Sequence, residues 1–299
     1  MTTSGERRVA GLAMIGSAAC WGSATVMSRD LLVSMTSIQL LLVQLMASVC
    51  VLLALAAPRF PWTYRSREMT KGALCGVLEP GLAYVVGLAG LAQTTAGRAS
   101  IISASEPVLI VLVAWVLFNQ RPGLRLMAAI AIAVGGLVLV SWSPVVEDRG
   151  GAFRGDMMVV LATLFAAGYV VISSRIVGSF PAASLASGQQ MVGLAFAMLV
   201  YAGAMAHGDD MGGFGAIPGG TLAYAALSGV VQYALAFWLY LIGLRYLSAG
   251  AAGLWLTLIP VFGLAGAWLW LGERPGLLTV LGAIVIVSAV VLGNRGGTE

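Results

Sequence analysis

Ten long apolar segments constrain the fold of this chain more than any other feature. A helix needs roughly 20 apolar residues to cross a hydrocarbon core of about 30 Å. The spanning backbone must also satisfy its own hydrogen bonds, which leaves helices or a closed barrel. Because the segments are continuously apolar and do not alternate, we predict an all-α integral membrane protein with ten transmembrane helices. The predicted helices cover 9–28, 36–57, 71–92, 97–118, 123–142, 156–175, 182–205, 221–243, 248–271 and 275–293.

Composition argues against ordinary soluble chemistry. Only 9% of the 299 residues are charged, against about 25% in soluble domains, and no connection is long enough to form a soluble domain. The one histidine, His207, lies in a polar loop, while Cys20, Cys50 and Cys75 lie inside apolar segments without metal-ligand spacing. We therefore predict that the protein is not an enzyme and has no catalytic residues, cofactor or metal site.

The placement of lysine and arginine predicts the orientation in the membrane. Eleven of the 16 basic residues fall on the side that carries both termini, and cytoplasmic loops are enriched in such residues. We therefore expect a multi-pass protein of the bacterial inner membrane with both termini in the cytoplasm. The basic residues lie between apolar segments and form no stripe, so no nucleic-acid partner is predicted.

The sequence repeats itself. Residues 73–124 align without a gap with residues 226–277, at a shift of 153, and the alignment pairs Trp115 with Trp268. The first two segments of each half align less closely at a shift of 145, which pairs Ser28 with Ser173. A longer loop after the seventh segment explains the change of shift.

Each half contains five segments, which is an odd number, so the second half enters the membrane from the opposite side. We predict two inverted five-helix repeats, residues 1–145 and 151–296, related by a pseudo-two-fold axis in the membrane plane. This architecture is typical of transporters that alternate access around a site near the midplane.

Two carboxylates lie where a charge facing lipid would be costly. Glu79 is near the middle of the third segment and Glu106 near the middle of the fourth, each followed by proline. A carboxylate at the bilayer centre costs on the order of 3 kcal/mol, so both should face the bundle interior. Each could relay a proton, meet a substrate amine, or be a hydrogen-bonded structural residue. The repeat pairs them with Gln232 and Ile259, so the charge is asymmetric.

Two further pairs of residues occupy matching positions in the halves. Gln44 and Gln189 lie in the middle of the second and seventh segments, where an amide bonds either to another helix or to a ligand. Pro107 and Pro260 lie in the middle of the fourth and ninth segments, where proline removes a backbone hydrogen bond. These prolines are candidates for hinges, for packing kinks, or for freeing a carbonyl toward a substrate.

Several aromatic residues lie well inside the predicted spans, away from the interfaces where tryptophan and tyrosine usually collect. They either line a cavity suited to a flat or amphipathic ligand or fill the core. These residues are Trp21, Tyr84, Tyr169, Tyr233, Trp238 and Trp255.

Short motifs make the chain resemble the drug/metabolite transporter superfamily, specifically its ten-helix EamA branch. The likeness rests on Trp21-Gly22-Ser23, Glu106-Pro107-Val108 and Pro260-Val261. It rests also on Leu271-Gly272-Glu273-Arg274-Pro275, of which the first half carries a degraded copy, Phe118-Asn119-Gln120-Arg121-Pro122. Nearly the whole chain is covered.

The resemblance implies two inverted five-helix repeats, a place in the inner membrane, and export of metabolites, commonly amino acids. Within the branch the chain is similar to YddG-type aromatic amino-acid exporters. Small four-helix multidrug relatives carry an acidic residue in their first helix, which is absent here. Relatives that transport phosphorylated sugars are expected to place basic residues in the cavity, but no lysine or arginine lies deep in a segment here.

We therefore expect a secondary transporter that exports aromatic or neutral amino acids across the inner membrane by alternating access. The predicted site lies between the halves, with a glutamate meeting the ammonium group and aromatic rings meeting the side chain. Its polar members are Gln44, Glu79, Tyr84, Glu106, Gln189 and Gln232. Expected partners are the small-molecule substrate, the lipid bilayer and, as a further candidate, protons, and one chain should be functional as a monomer.

Two alternatives remain open from the sequence. A drug or organic-cation exporter would use the same carboxylates. An intramembrane lipid-modifying enzyme would need clustered acidic or histidine groups at one membrane face, for which Asp209-Asp210 beside His207 is the only acidic candidate.

Overall fold

A computed structural model describes residues 4–57, 66–91, 93, 102–103, 105–141, 152–207, 213–271 and 276–294. The Asp209-Asp210 pair and residues 272–275 of the repeated motif lie outside this part of the chain. Ten helical elements follow one another within it. They are α1 (Ser4–Leu31), α2 (Ser37–Ala56), α3 (Arg67–Leu91), α4 (Glu106–Phe118), α5 (Leu124–Ser141), α6 (Ala152–Ile176), α7 (Ala182–Ala206), α8 (Gly219–Leu244), α9 (Ala249–Leu271) and α10 (Leu277–Asn294).

Hydropathy and length together mark the helices that can cross a membrane. Among the described residues, 5 helices are long and apolar enough to do so, namely Ser4–Ser28, Ser37–Ala56, Phe153–Ser179, Ala182–Ala206 and Gly219–Leu244. Shorter apolar helices cover Glu106–Phe118, Leu124–Leu139, Ala249–Gly263 and Val280–Gly293. These nine described helices and the interrupted α3 together correspond to the ten predicted segments. The chain is therefore an all-α integral membrane protein.

Helix contacts follow the inverted repeat. The packing of α1 on α8 has a counterpart in α6 on α3, and the packing of α1 on α9 has one in α6 on α4. Likewise α2 packs on α8 as α7 packs on α3. The remaining major contacts, α2 with α7, α4 with α9 and α5 with α10, join equivalent helices of the two halves and so lie on the pseudo-two-fold axis.

Glycines bring helix backbones together at equivalent places in the two halves. A Cβ atom on Gly76 of α3 would lie 2.7 Å from the carbonyl carbon of Gln189. A Cβ atom on Gly229 of α8 would lie 2.7 Å from the carbonyl carbon of Gln44. Because such distances are too short for real Cβ atoms, only glycine permits α3 to pack on α7 and α8 on α2 in this way.

The helices α3 and α8 change their winding at equivalent positions. In α3 the α-helix Arg67–Leu74 is followed by a 3₁₀ turn, by a π-helical segment Leu78–Leu82, and by the α-helix Ala83–Leu91. In α8 a π-helical segment Val230–Leu235 lies between two α-helices. The shift of 153 maps the first π segment onto residues 231–235, and π segments often mark functional sites. The sequence predicted uninterrupted helices here.

The structure places Pro107 and Pro260 each in the first turn of a described helical segment. Pro107 is the second residue of α4 as described, and Pro260 is the second residue of Ile259–Leu271, the second half of α9. Proline is tolerated in the first turn because its missing N–H would have no helical partner there. Pro260 has no N–H to donate to the carbonyl of Leu256, and its ring crowds that carbonyl, which explains why α9 breaks at Thr257 and Leu258. A hinge at either proline stays a prediction.

Candidate substrate-binding site

The predicted carboxylates meet inside the bundle. Glu79 on α3 and Glu106 on α4 are close enough to repel each other electrostatically, and both also act on Tyr84 and Tyr240. Since Tyr240 belongs to α8, which is in the second half, the two carboxyl groups face the junction of the repeats. The substrate site predicted at this junction stays a prediction.

The backbone sets the position of Glu79. Its φ of −147° and ψ of 124° are extended values in the middle of the π-helical segment, so the side chain leaves α3 at a break in the helix. Glu79 and Glu106 are each partly exposed, and within the described residues no hydrogen bond joins either carboxyl to another group. Both carboxyls are therefore available to a bound molecule.

Aromatic rings form a continuous series beside these carboxyls. The Tyr84 and Tyr233 ring centroids are 5.3 Å apart, and Tyr233 stacks on Phe237 at 6.1 Å. Phe237 in turn meets Trp21 edge-on at 5.0 Å and Tyr169 at 5.8 Å. This series joins four helices of both halves, because Trp21 is on α1, Tyr84 on α3, Tyr169 on α6 and the rest on α8.

The sequence analysis missed two members of the series. Phe237 is fully buried, and Tyr240 lies 5.5 Å from Trp21. They follow Tyr233 by four and seven residues, which places all three on one face of α8. That spacing was visible in the sequence and could have identified them.

One predicted aromatic residue lies elsewhere. The Trp255 ring packs against Gly11 of α1, with its nearest atom 3.7 Å from a Cβ built on that glycine. Gly11 is about 15 Å along α1 from Trp21, at about 1.5 Å per residue. No described ring contact joins Trp255 to the series, so the structure does not bring it to the carboxyls.

Gln189 is engaged in a buried interhelical cluster. Its Oε1 accepts a hydrogen bond from the Tyr169 hydroxyl at 3.0 Å, and its Nε2 donates to Ser173 Oγ at 3.1 Å and to the Gly72 carbonyl at 3.3 Å. The side chain is fully buried. With three partners from α6 and α3, this amide fits a packing role better than contact with a ligand.

Gln44 forms the equivalent cluster in the other half. Its Nε2 donates to Ser28 Oγ and to Ser228 Oγ, both at 2.9 Å, while Ser28 Oγ donates to Gln232 Oε1 at 3.0 Å. Ser28 and Ser173 are the pair that the repeat predicted.

Gln232 occupies the position in the second half that is equivalent to Glu79 in the first. Its side chain is partly exposed, and Tyr84 approaches its amide. This amide therefore links the buried cluster to the carboxyl site.

The described cationic side chains lie outside the region of the two carboxyls. In the part of the chain that the structure describes, they lie near helix ends or in connections, so no described cation pairs with either carboxyl. These residues are Arg7, Arg8, Arg67, Lys71, Arg121, Arg125, Arg154, Arg175 and Arg245.

Fold and site together define a multi-pass membrane protein with polar groups gathered between inverted halves, as in a transporter. The sequence matches the EamA-like transporter family over residues 8–142 and again over 153–295, and the chain belongs to that family. Membership of a transporter family agrees with the prediction that the protein is not an enzyme, so the lipid-modifying alternative is not retained.

Similarity to individual proteins is more distant. The chain is 27% identical over 234 residues to a "Probable terminal-alkyne amino-acid exporter" of Streptantibioticus cattleyicolor, covering 77% of this chain and 75% of that protein. It is 24% identical over 204 residues to an "Uncharacterized transporter YdfC" of Bacillus subtilis, covering 67% and 63%. A solved crystal structure matches with a TM-score of 0.79 and 16% identity over 95% of both chains, which supports the fold alone.

Proposed function

We propose that this protein is a secondary transporter that exports aromatic or neutral amino acids by alternating access. The observation that carries the proposal is the arrangement of Glu79 and Glu106 beside the series of aromatic rings. A carboxylate without a protein cation provides the counter-charge for a substrate ammonium group. Aromatic faces next to it bind an apolar or aromatic side chain and also attract the ammonium group.

Similarity to other proteins supports the same substrate class. One relative is named as an exporter of a terminal-alkyne amino acid, whose side chain is apolar. The narrower likeness to YddG-type exporters, the inner-membrane location and the cytoplasmic termini remain predictions, as do the repeat boundaries at 1–145 and 151–296. We expect a functional monomer, because one chain contains both halves of the pseudo-symmetric bundle.

Counterflow tests this proposal. Purified protein in liposomes preloaded with unlabelled phenylalanine should accumulate labelled phenylalanine from outside. The Glu79→Gln variant should lose this accumulation, because a neutral amide no longer balances the ammonium group. The matched control is Glu68→Gln, which alters an exposed carboxylate in the first turn of α3 away from the bundle centre and should transport normally.

The same assay separates the second candidate function. Two carboxyls without a nearby cation also suit an organic-cation exporter. Phenethylamine has the ring and ammonium group of phenylalanine but no carboxylate, so its accumulation in place of phenylalanine would favour that function. Folded protein that accumulates neither compound would contradict the proposed transport of aromatic amino acids.

A further inference from the structure

A cavity lies toward one end of the bundle. It opens where the end of α2, the start of α7 and the end of α8 meet, and its volume of about 420 Å³ falls in the range of roughly 300–1,000 Å³ of small-molecule pockets. Its walls include Leu55, Ser184, Trp238, Ile242 and Arg245. Because these ends share the side of both termini, the charge distribution predicts that the cavity faces the cytoplasm.

This cavity is separate from the carboxyl site. Trp238 on its wall follows Gln232 on α8 by six residues, which is about 9 Å along a helix. Arg245 lies at the end of the same helix, about 20 Å from Gln232 by the same rise per residue. A molecule in the cavity therefore meets groups different from Glu79 and Glu106.

The N-terminus of α7 contributes unpaired backbone donors to the cavity. This helix has 25 residues, and Pro181 before it provides no side-chain cap. The first helical hydrogen bond runs from the Leu185 N–H to the Pro181 carbonyl at 3.0 Å. The amides of Ala182, Ala183 and Ser184 consequently have no helical acceptor, and such an end attracts an anion.

Ser184 provides an independent observation. Its side chain is 1% exposed, it lines the cavity, and its hydroxyl has no hydrogen-bond partner within the described part of the chain. A buried hydroxyl that lacks a partner is unfavourable. A ligand oxygen in the cavity would satisfy it together with the adjacent backbone amides.

Arg245 adds a positive charge to the same wall. Its Nη2 donates to the Val177 carbonyl at 3.2 Å and to the Phe180 carbonyl, which holds the guanidinium beside the start of α7. Only one of its three nitrogens is used in these bonds, and no described carboxylate pairs with it. The remaining N–H groups suit a carboxylate, which guanidinium groups bind well.

We propose that this cavity is a carboxylate-binding site that receives the substrate from the cytoplasm, with Arg245, Ser184 and the N-terminus of α7 holding the carboxylate. Trp238, Ile242 and Leu55 contact the apolar side chain. The proposal rests on the proposed export of amino acids and extends it. The substrate is first bound at this outer cavity through its carboxylate, and it then moves inward to the separate site where Glu79 binds its ammonium group.

The test measures binding without transport. Ala183→Cys introduces a thiol into the cavity wall of protein held in phosphatidylcholine nanodiscs, and a membrane-impermeant maleimide labels it. Protein without this substitution gives the background from the three native cysteines. Phenylalanine and 3-phenylpropionate, which share a carboxylate, should slow the labelling, whereas phenethylamine should not. Protection by 3-phenylpropionate should persist in Glu79→Gln.

Variants identify the binding groups. We expect both Arg245→Gln and Ser184→Ala to raise the concentration of 3-phenylpropionate that halves the labelling rate. For Arg245→Gln the increase should be about tenfold, because that is the scale of one charge-assisted hydrogen bond. The matched control is Arg175→Gln, because that guanidinium lies 4.4 Å from the centroid of the Phe118 ring and outside the cavity wall. It should leave protection unchanged.

Three results would overturn the proposal. The first is that phenethylamine protects the thiol as well as 3-phenylpropionate does. The second is that protection is unchanged in both Arg245→Gln and Ser184→Ala. The third is that labelling is already slow without ligand in phosphatidylglycerol nanodiscs, because the cavity would then bind lipid phosphate. If phenylalanine counterflow is intact but no compound protects, the carboxylate site fails while the transport function stands. If protection occurs without counterflow, the site stands and the proposed transport fails.

Discussion

At the scale of single residues, Gln189 illustrates how an amide is accommodated in an apolar bundle. Its oxygen and nitrogen together make three hydrogen bonds to groups on α6 and α3. Interhelical hydrogen bonds in membrane proteins are worth about 0.6 kcal/mol each on average. Three of them therefore contribute about 2 kcal/mol, which makes the residue important for stability whether or not it contacts a substrate.

The first prediction follows from this cluster. Gln189→Ala should lower the free energy of unfolding by about 2 kcal/mol and reduce the melting temperature of the purified protein. Gln120→Ala is the control, because that exposed side chain lies in the connection between α4 and α5. Equal melting temperatures for the two variants would show that the cluster does not stabilise the bundle.

The chemical type of the site residues was predictable from the sequence, but their partners were not. Glu79 and Glu106 stood out because carboxylates are rare in apolar segments, and the structure brings them together. Whether Gln44 and Gln189 serve packing or ligand binding depends on the register between α2, α7 and their neighbours, which composition does not specify. The role of Trp255 depends on register in the same way, because it lies inside its predicted segment but packs against Gly11.

At the scale of helices, the close approaches at Gly76 and Gly229 determine how the halves join. An added methyl group at either position would meet the backbone of Gln189 or Gln44, which cannot yield as a flexible side chain can. Because overpacking of this kind typically costs about 1–3 kcal/mol, both glycines should be required for stable assembly.

The second prediction concerns this packing. Gly76→Ala and Gly229→Ala should each lower the melting temperature, by similar amounts because their surroundings are related by the repeat. Gly135→Ala in α5 is the control, since a Cβ there has nothing within 4 Å and alanine favours helix. A tolerated Gly76→Ala would mean that α3 and α7 do not pack this closely.

Breaks in the helices were the least predictable part of the fold. Continuous apolar runs predicted ten uninterrupted spans, yet α3, α8 and α9 change winding or stop near their middle. An apolar sequence is equally compatible with α and π winding, so the choice is made by tertiary contacts. Proline gave a local signal at two of these breaks, because Pro80 lies in the π-helical segment of α3 and Pro260 lies at the start of the second half of α9.

At the scale of the whole molecule, the inverted repeat distinguishes two kinds of helix contact. Some should change when the two halves exchange conformations during transport, and others should persist. Exchanging the conformations of the two halves would interchange the α1–α8 and α6–α3 contacts. The α5–α10 contact joins equivalent helices, so the same exchange leaves it unchanged. Gly136 of α5 and Gly282 of α10 meet in this interface, where a Cβ on Gly136 would lie 2.9 Å from the Gly282 carbonyl oxygen.

The third prediction uses this invariance. A double variant, Arg125→Cys with Leu292→Cys, uses two exposed positions of this interface, where Arg125 Nε donates to the Leu292 carbonyl at 3.1 Å. It should form a thiol cross-link and still exchange phenylalanine in counterflow. The reduced double variant is the control for any effect of the substitutions themselves. Counterflow that stops on oxidation and returns on reduction would mean that α5 and α10 separate during transport, contrary to the symmetric exchange.

The inverted repeat gives the cavity beside Arg245 an equivalent position at the opposite end of the bundle. Repeat shifts of 145 and 153 map its wall residues Ala56, Ala183 and Trp238 onto Tyr201, Ile38 and Val85, and the Tyr201 ring lies 6.0 Å from Phe214. If the two halves exchange conformations, as the proposed transport requires, the cavity beside Arg245 should close and a matching cavity should open at the other end. One structure therefore describes the starting point for both sides of the membrane.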